Sequence, residues 1–199
     1  VLELVDSGIP LVTIDHIFNN RLAVLSDNVS GLEEIIHYVY GRGHRRIAFT
    51  HGELTTVTQN RLTGFYRACE ELGLEIPDRY IREGVYHDPD SCEAVTRELL
   101  TLPERPTCII FPDDFSYIGG LKALTDAGLR VPEDISAVGY DGIHLARVLK
   151  LTTYYQDTKA LGATAAKKLI QLIEHPKTTL MDSAVIPGRL LQGDTVKAI

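Results

Sequence analysis

The sequence predicts an α/β fold in which helices cover both faces of parallel β-sheets. Short β-branched runs recur along the 199 residues, and longer segments with apolar residues at helical spacing separate them. The strand runs are apolar almost throughout, which is typical of strands that are covered on both faces. This alternation of strand and helix predicts parallel sheets with right-handed crossovers.

Six runs are predicted as strands because they are short, apolar and rich in β-branched residues. They are residues 9–14, 47–50, 81–85, 107–111, 135–140 and 151–155. Five segments between and after them are predicted as helices, because their apolar residues follow a spacing of three and four. These are residues 29–40, 62–72, 88–99, 118–124 and 161–173.

The ends of these helices are marked by residues with known capping preferences. Asp88 is predicted as an N-cap with Pro89 in the first turn, since a carboxylate accepts from the free N–H groups there. Gly73 and Gly128 stand where glycine commonly ends a helix. The last helix is predicted to end before Pro176, which cannot continue it.

Composition limits the function classes that the chain can serve. A net charge of −7 and a pI near 5.5 argue against a nucleic-acid surface, which needs clustered Lys and Arg. Cys69, Cys92 and Cys108 lie in apolar runs and form no CxxC pair, as expected of reduced thiols in a cytoplasmic protein. No apolar run is long enough for a membrane span. The sequence starts without methionine, and we interpret it as a fragment whose start has been lost.

Polar side chains follow the predicted strands, where the ligand site of an open parallel sheet lies. Carboxylates accept hydrogen bonds from hydroxyl groups, arginine donates in a planar fork, and an aromatic ring covers the apolar face of a sugar. The predicted ligand-binding residues are Asp15, Arg61, Tyr86, Asp113, Asp141 and Gln156. The alternative interpretation is that aspartates after strands cap helices or turns, which accounts well for Asp114 and Asp157.

Other chemistries find less support in the sequence. Several carboxylates in one cleft would suit a glycoside hydrolase, but the sequence does not fix their separation. Asp113, Asp114, Asp141 and His144 could hold a magnesium ion, yet no dense loop of ligands surrounds them. Phosphate-loop, zinc-protease and nucleophile-elbow motifs are lacking. We therefore predict no catalytic residue, no metal site and no cofactor.

Several stretches together carry a resemblance to a known family. They are IPLVTID at 9–15, GHRRIA at 43–48, RLTGF at 61–65, GLRVPEDISAVGYD at 128–141, and LTT at 151–153 followed by Gln156. In this order, the chain resembles the effector-binding core of the lactose-repressor/galactose-repressor family of transcription regulators. Periplasmic sugar-binding proteins share the fold of that family. The stretch 128–141 is the most specific of the five.

The resemblance implies a two-lobed, periplasmic-binding-protein-like fold with three crossovers between the lobes and an incomplete N-terminal lobe. Residues 1–27 and 157–185 would form the N-terminal lobe, and residues 28–156 and 186–199 the C-terminal lobe. It places Asp15, Arg61, Asp141 and Gln156 at positions that contact the effector. It places Tyr86 where an aromatic residue stacks on the ligand, and Asp113 where a polar residue, often Asn, reaches it. Gly142 departs from a common second Asp, and Lys150 from a common Pro.

The function implied is effector sensing in a bacterial transcription regulator, predicted as a repressor. A small sugar-like effector would bind between the lobes and change the DNA affinity of a missing N-terminal helix-turn-helix domain. A homodimer is expected through the helices beginning near Asp88 and Phe115 and the loop after Gly142, with Tyr117, Ile118, Ile143 and Leu145 at the interface. The alternatives are a periplasmic sugar-binding protein of a transporter and a carbohydrate-active enzyme. Because carboxylates outnumber Arg61, an uncharged or weakly charged polyol-like metabolite is expected rather than a phosphorylated ligand, although an amine would fit equally well.

Overall fold

A computed structural model describes residues 8–18, 21–175 and 182–199. The chain divides into two compact units, and it passes from one unit to the other three times. The smaller unit comprises Val1–Asp27 and Asp157–Gly188, and the larger comprises Asn28–Gln156 and Arg189–Ile199. Both are α/β, as the sequence predicts.

The helices and strands of the described residues have the following bounds. The strands are β1 (Val12–Ile14), β2 (Leu22–Ser26), β3 (Ile47–His51), β4 (Ile81–Glu83), β5 (Cys108–Ile110), β6 (Ser136–Asp141), β7 (Thr152–Tyr155), β8 (Ala184–Ile186) and β9 (Arg189–Leu191). The helices are α1 (Asn28–Gly41), α2 (Thr56–Glu71), α3 (Pro89–Leu100), α4 (Tyr117–Asp126), α5 (His144–Val148) and α6 (Thr158–Glu174), with a 3₁₀ turn at Asp78–Tyr80.

The smaller unit contains a three-stranded parallel sheet in the order β1-β2-β8. Helix α6 packs on it through Leu161 and Ala165, which form a buried cluster with Val24 of β2. Asp157 caps this helix, because its carboxylate accepts from the backbone N–H of Ala160 at 2.9 Å. The helix ends at Glu174, and Pro176 lies outside the described residues.

The larger unit contains a six-stranded sheet in the order β4-β3-β5-β6-β7-β9. Its neighbouring strands are parallel except for β9, which pairs antiparallel with β7 at the edge. Side chains alternate between the faces of a strand, so Phe49 packs against α1 and α2 while Ala48 faces α3 and α4. The two buried clusters cover both faces, and the sheet is a middle layer.

The prediction of parallel sheets covered by helices is confirmed, with changes at particular elements. The first strand begins at residue 12 rather than 9, and the antiparallel β9 adds a pairing that the prediction lacked. Strands β2, β8 and β9 were not predicted. Strand β2 reads LAVLS, with one β-branched residue, and β8 and β9 have three residues each, too few for a period to be recognised.

The predicted capping residues lie at helix ends in the structure, although α2 begins at residue 56 rather than 62. Asp88 accepts from the backbone N–H groups of Asp90 and Ser91, with Pro89 in the first turn of α3. Gly73 and Gly128 follow α2 and α4 with φ of 62° and 73°, in the left-handed region that glycine adopts without strain.

Two expectations from composition can also be compared with the structure. The three cysteines are buried and unpaired, and burial raises the thiol pKa of Cys69 to about 11 and of Cys92 to about 12. Such thiols are protonated and unreactive at neutral pH. Among the described residues, no helix is both long enough and apolar enough to cross a bilayer.

Candidate functional site

The candidate site lies at the carboxyl edge of the six-stranded sheet. Strands β4, β3, β5, β6 and β7 are neighbours and run parallel, so their carboxyl ends meet at this edge. The loops that follow these ends, together with helix α2 after β3, bring together side chains from five distant parts of the sequence. This is the edge at which open α/β sheets bind ligands.

Arg61, on α2, is the centre of the site and is only 3% exposed. Its Nε donates to Asn28 Oδ1 at 2.9 Å, and its Nη1 donates to the Pro112 carbonyl at 2.6 Å. The guanidinium lies 3.5 Å from the centre of the Tyr140 ring. A buried arginine in a fixed orientation can donate hydrogen bonds with little further loss of side-chain entropy. The remaining nitrogen, Nη2, lies 3.9 Å from Asp141 Oδ1.

Asp141 ends β6 with φ of 99°, a conformation that L-residues rarely adopt. Its Oδ1 accepts from the Gln156 amide at 2.5 Å, while Oδ2 has no hydrogen-bond partner in the part of the chain that the structure describes. Burial raises the pKa of Asp141 above its usual value, and the Arg61 guanidinium lowers it only in part. The site therefore holds a partly desolvated carboxylate with one oxygen available to a hydroxyl group.

Tyr86 is held in place by contacts on several sides. Its OH lies 2.9 Å from Thr58 Oγ1, and its backbone N–H donates to a carboxylate oxygen of Glu53 at 3.0 Å. The ring covers Gly52, where a Cβ atom would overlap it. The Arg61 guanidinium lies 5.6 Å from the ring centre. A ring fixed in this way can serve as a flat surface for the C–H face of a ligand.

Asp113 lies at the same edge but is already fully hydrogen-bonded within the chain. Its two oxygens accept from the backbone N–H groups of His87, Phe115 and Ser116 and from the Ser116 hydroxyl, at 2.7–2.9 Å. A carboxylate has about four acceptor positions. Asp113 is 1% exposed and organises the turn that enters α4.

Asp114 lies in a turn, as the alternative interpretation allowed, but it does not cap the helix that follows. Asp114 is fully buried, and it accepts from the Thr153 hydroxyl at 2.5 Å and from the Ile143 backbone N–H at 2.9 Å. Burial raises the pKa of this carboxyl to about 7, although the hydrogen bonds from Thr153 and Ile143 oppose the rise. The adjacent Asp113 instead accepts from the backbone N–H groups of the turn before α4, because the loop turns the two side chains in different directions.

Asp15, in the smaller unit, follows β1 with φ of 51°. Its carboxylate accepts from the Ser26 backbone N–H at 2.5 Å and from the Ser26 hydroxyl at 2.9 Å. These bonds join the ends of β1 and β2. The structure thus brings five of the six predicted residues to one edge of the larger sheet and places Asp15 in the other unit.

Sequence reasoning missed two residues that hold Arg61, namely Asn28 and Tyr140. Asn28 directly follows β2 and Asp27, so recognising that strand would have marked it as another polar residue after a strand end. Tyr140 resembles an ordinary apolar strand residue, and only the structure reveals the guanidinium on its ring. Glu53, which accepts from the Tyr86 backbone, was also missed.

Both departures from the family pattern have a left-handed backbone conformation, which excludes proline at Lys150. Gly142 has φ of 68° and Lys150 has φ of 52°. Proline fixes φ near −65° and cannot occupy the conformation of Lys150. A metal at this edge lacks a ligand set, because the described ranges contain no group of three His, Cys, Asp or Glu side chains placed to hold an ion.

Known proteins share both the sequence pattern and the fold. The model of the periplasmic binding protein-like domain family matches residues 36–196. The HTH-type transcriptional repressor PurR of Haemophilus influenzae (strain PittEE) is 37% identical over 173 residues, covering 85% of this chain and 51% of that repressor. The chain thus spans about half the length of this curated relative.

Two solved structures extend the likeness to the whole described fold. A LacI transcriptional regulator from Bacillus cereus subsp. cytotoxis NVH 391-98 superimposes with a TM-score of 0.92 at 29% identity, covering 100% of this chain and 72% of that one. The complex of the transcriptional regulator CelR with cellobiose gives a TM-score of 0.89 at 28% identity, covering 96% and 60%. These relatives are named as transcription regulators, not as transport proteins or enzymes. The chain therefore belongs to the periplasmic binding protein-like domain family, as an effector-binding core of the LacI-family type.

Proposed function

We propose that this chain is the effector-sensing part of a transcription regulator and that it binds a small uncharged polyol at the carboxyl edge of the larger sheet. The observation that carries the proposal is the cluster of Arg61, Asp141 and Gln156 beside the ring of Tyr86. It offers a donor, an acceptor and an apolar face within one partly buried site. A sugar presents hydroxyl groups and a C–H face that complement all of these groups.

The charge of the site supports a neutral ligand over a phosphorylated one. Asp141 is partly desolvated and the raised pKa shows that its charge is already unfavourable. A phosphate dianion placed beside it would add like-charge repulsion. Because Asp113 is satisfied within the chain, this argument rests on Asp141 alone. The cellobiose complex of CelR supports a sugar over an amine.

The ligand set that we propose retains Asp15, Arg61, Tyr86, Asp113, Asp141 and Gln156. Asp15 and Asp113 are included through the family resemblance, since their oxygens already accept hydrogen bonds within the chain. We propose that the two units are the two lobes of the family fold. Ligand binding would favour one relative orientation of the lobes over another. The shift in this equilibrium is set by the difference between the ligand's affinities for the two orientations.

Operator DNA would be bound by a helix-turn-helix domain outside this chain, because the chain itself is acidic, with a net charge of −7. We place the intact regulator in the cytoplasm and assign this domain no catalytic step. Purified protein that binds a sugar but does not hydrolyse the matching glycosides would agree with that assignment. A signal peptide encoded in the full gene would contradict this assignment and favour a transport function instead.

A homodimer is the proposed assembly, through the surfaces around the helices that begin near Asp88 and Phe115 and around the loop after Gly142, which carry Ile118 and Ile143. These side chains are 36% and 41% exposed, as expected of an apolar contact patch. Tyr117, by contrast, is 2% exposed and packs against Phe111 in the core. Sedimentation that gives a monomer at every concentration would contradict the dimer.

The test is calorimetry of the chain with cellobiose, ribose and ribose 5-phosphate, preceded by a thermal-shift screen. A ligand at a hundred times its Kd adds about 2.7 kcal/mol of stability. Sugar binding should weaken at least tenfold in Asp141→Asn and stay unchanged in Asp194→Asn, an exposed carboxylate elsewhere. Stronger binding of the phosphate at Asp141 than of any neutral sugar would contradict the proposal.

A further inference from the structure

A cavity of about 550 Å³ lies in the larger unit, apart from the cluster around Arg61. Its walls come from the turn after β6, from α5, from the end of β7, and from β9 with the loop that follows it. It is lined by Gly142, Ile143, Ala146, Arg147, Lys150, Leu151, Thr153, Tyr155, Arg189, Leu191, Gln192, Gly193 and Asp194. A volume of this size is within the range of small-molecule sites.

The charge of this cavity is opposite to that of the chain. Three cationic side chains line it against one carboxylate, whereas the whole chain has a net charge of −7. Lys150 and Asp194 form an ion pair at 3.0 Å and neutralise each other. Arg147 and Arg189 lack a carboxylate at ion-pair distance among residues 8–18, 21–175 and 182–199. Two arginines are thus left to balance an anion.

The cavity has both charged and apolar walls, which suits a ligand larger than an inorganic ion. The Arg189 guanidinium lies 4.9 Å from the centre of the Tyr155 ring, which restricts its orientation. Ala146 and Leu151 are 3% exposed and form an apolar floor. Guanidinium groups donate two parallel hydrogen bonds to a carboxylate or a phosphate. The cavity therefore combines anion donors with a wall for a carbon skeleton.

One residue that lines this cavity also contacts the backbone next to the candidate site. Thr153 lines the cavity, and its hydroxyl donates to Asp114 while it accepts from the Gly142 N–H at 3.3 Å. Gly142 directly follows Asp141. A ligand that contacts this turn would bear on the backbone that sets the orientation of Asp141.

We propose that this cavity binds a small organic dianion between Arg147 and Arg189, as a second ligand site distinct from the effector site. Two classes of ligand fit this description, phosphate monoesters and dicarboxylates. Both have two negative charges on oxygen atoms and a skeleton of a few carbon atoms. The proposal does not depend on the identity of the effector.

The experiment is a titration of the ¹⁵N-labelled chain at low ionic strength, followed by NMR, with glucose 6-phosphate, succinate and glucose as probes. At least one of the two dianions should shift the amide signals of Gly142 and Gly193, and glucose should leave Gly193 unchanged. Arg147→Gln and Arg189→Gln should each weaken this binding tenfold or more. The dianion that binds more tightly shows whether the natural ligand is a phosphate monoester or a dicarboxylate.

Two control variants distinguish binding in this cavity from a general loss of positive charge and from binding at the effector site. Arg79→Gln removes an exposed arginine outside the cavity, which pairs with Glu104, and should leave the affinity unchanged. Asp141→Asn should also leave it unchanged, so that failure of the effector site is distinguishable from failure of this one. The proposal is overturned if neither dianion shifts these signals, if both cavity variants bind normally, or if either control loses as much affinity as they do.

Discussion

The two sheets differ in the amount of apolar packing that holds them. In the larger unit, buried clusters cover both faces of the sheet, and Phe49 stacks on Phe65 with ring centres 5.2 Å apart. In the described part of the smaller unit, the buried cluster comprises Val24, Leu161 and Ala165. Polar side chains that must keep a fixed geometry are thus concentrated on the better packed sheet.

Several apolar side chains of the smaller unit lie outside its buried cluster. Ile14 and Ile17 of the smaller unit are 48% and 51% exposed, and Ile173 on its helix is 59% exposed. Burial of an aliphatic side chain contributes about 1.5–3 kcal/mol, so these residues stabilise their sheet little. We expect substitutions of equal size to cost more in the larger unit.

The largest expected effect is on the core of the larger unit. Phe65 is fully buried, and Phe65→Ala should lower the free energy of unfolding by about 3–5 kcal/mol, because it removes an aromatic ring from a packed cluster. Leu161→Ala in the smaller unit should cost about 2 kcal/mol, at the low end for a leucine, since few neighbours surround it. Urea denaturation followed by circular dichroism measures both.

The control for this comparison is Ile170→Ala, at a position that is 53% exposed on α6. It should change the free energy of unfolding by less than about 0.5 kcal/mol. The contrast between the units would be wrong if Leu161→Ala proved as costly as Phe65→Ala.

The next largest effect is a pH dependence of stability, which we expect the buried Asp114 to cause in the larger unit. Its pKa is raised from 3.8 to about 7, chiefly by burial. The stability contributed by the neutral carboxyl is therefore fully present below about pH 4 and is lost as the pH rises through about 7. Asp114→Asn keeps a neutral group of the same shape at all pH values.

The stability of Asp114→Asn relative to the wild type should rise by about 1–3 kcal/mol between pH 5 and pH 8, at about 1.4 kcal/mol per pKa unit. Urea denaturation at both pH values measures this difference. Asp194→Asn, on an exposed carboxylate, is the matched control and should give no such change. A relative stability that falls toward pH 8 would mean that Asp114 is ionised in the folded chain.

A smaller effect is expected at Gly52, where an added Cβ would overlap the Tyr86 ring. Gly52→Ala should displace the ring and weaken sugar binding about tenfold, which corresponds to about 1.4 kcal/mol. Gly162→Ala on α6 is the matched control, because its Cβ would meet nothing within 4 Å. That variant should bind normally and gain up to about 1 kcal/mol of stability. Equal binding by both variants would argue against a role for the ring.

The fold could be predicted because its strands and helices have distinct apolar periods and clear capping residues. Asp88 and Gly128 mark helix ends by local chemistry, which a sequence displays directly. Strands β2, β8 and β9 could not be recognised in this way, since β2 has a single β-branched residue and β8 and β9 are held by pairing with distant strands. The antiparallel direction of β9 follows from the path of the chain and not from its composition.

The candidate site could be predicted in outline, because every parallel strand carries its following residue to the same edge. The roles of Asp113 and Asp114 could not be told apart, since they are adjacent and chemically identical. Tertiary contacts decide which one accepts from the turn before α4 and which one accepts from Thr153 and Ile143 in the interior. The part that any of these residues plays in ligand binding stays a prediction.

The smallest expected effect on stability is at Asp15, which joins β1 to β2 in the less packed unit. Asp15→Asn can still accept from the Ser26 N–H through Oδ1 and donate to the Ser26 hydroxyl through Nδ2, so both hydrogen bonds survive. Asparagine also tolerates the positive φ of this position. Urea denaturation should therefore show a loss below about 1 kcal/mol. A loss as large as that of Phe65→Ala would contradict the comparison, because it would mean that the polar link at Asp15, and not apolar packing, holds the smaller sheet.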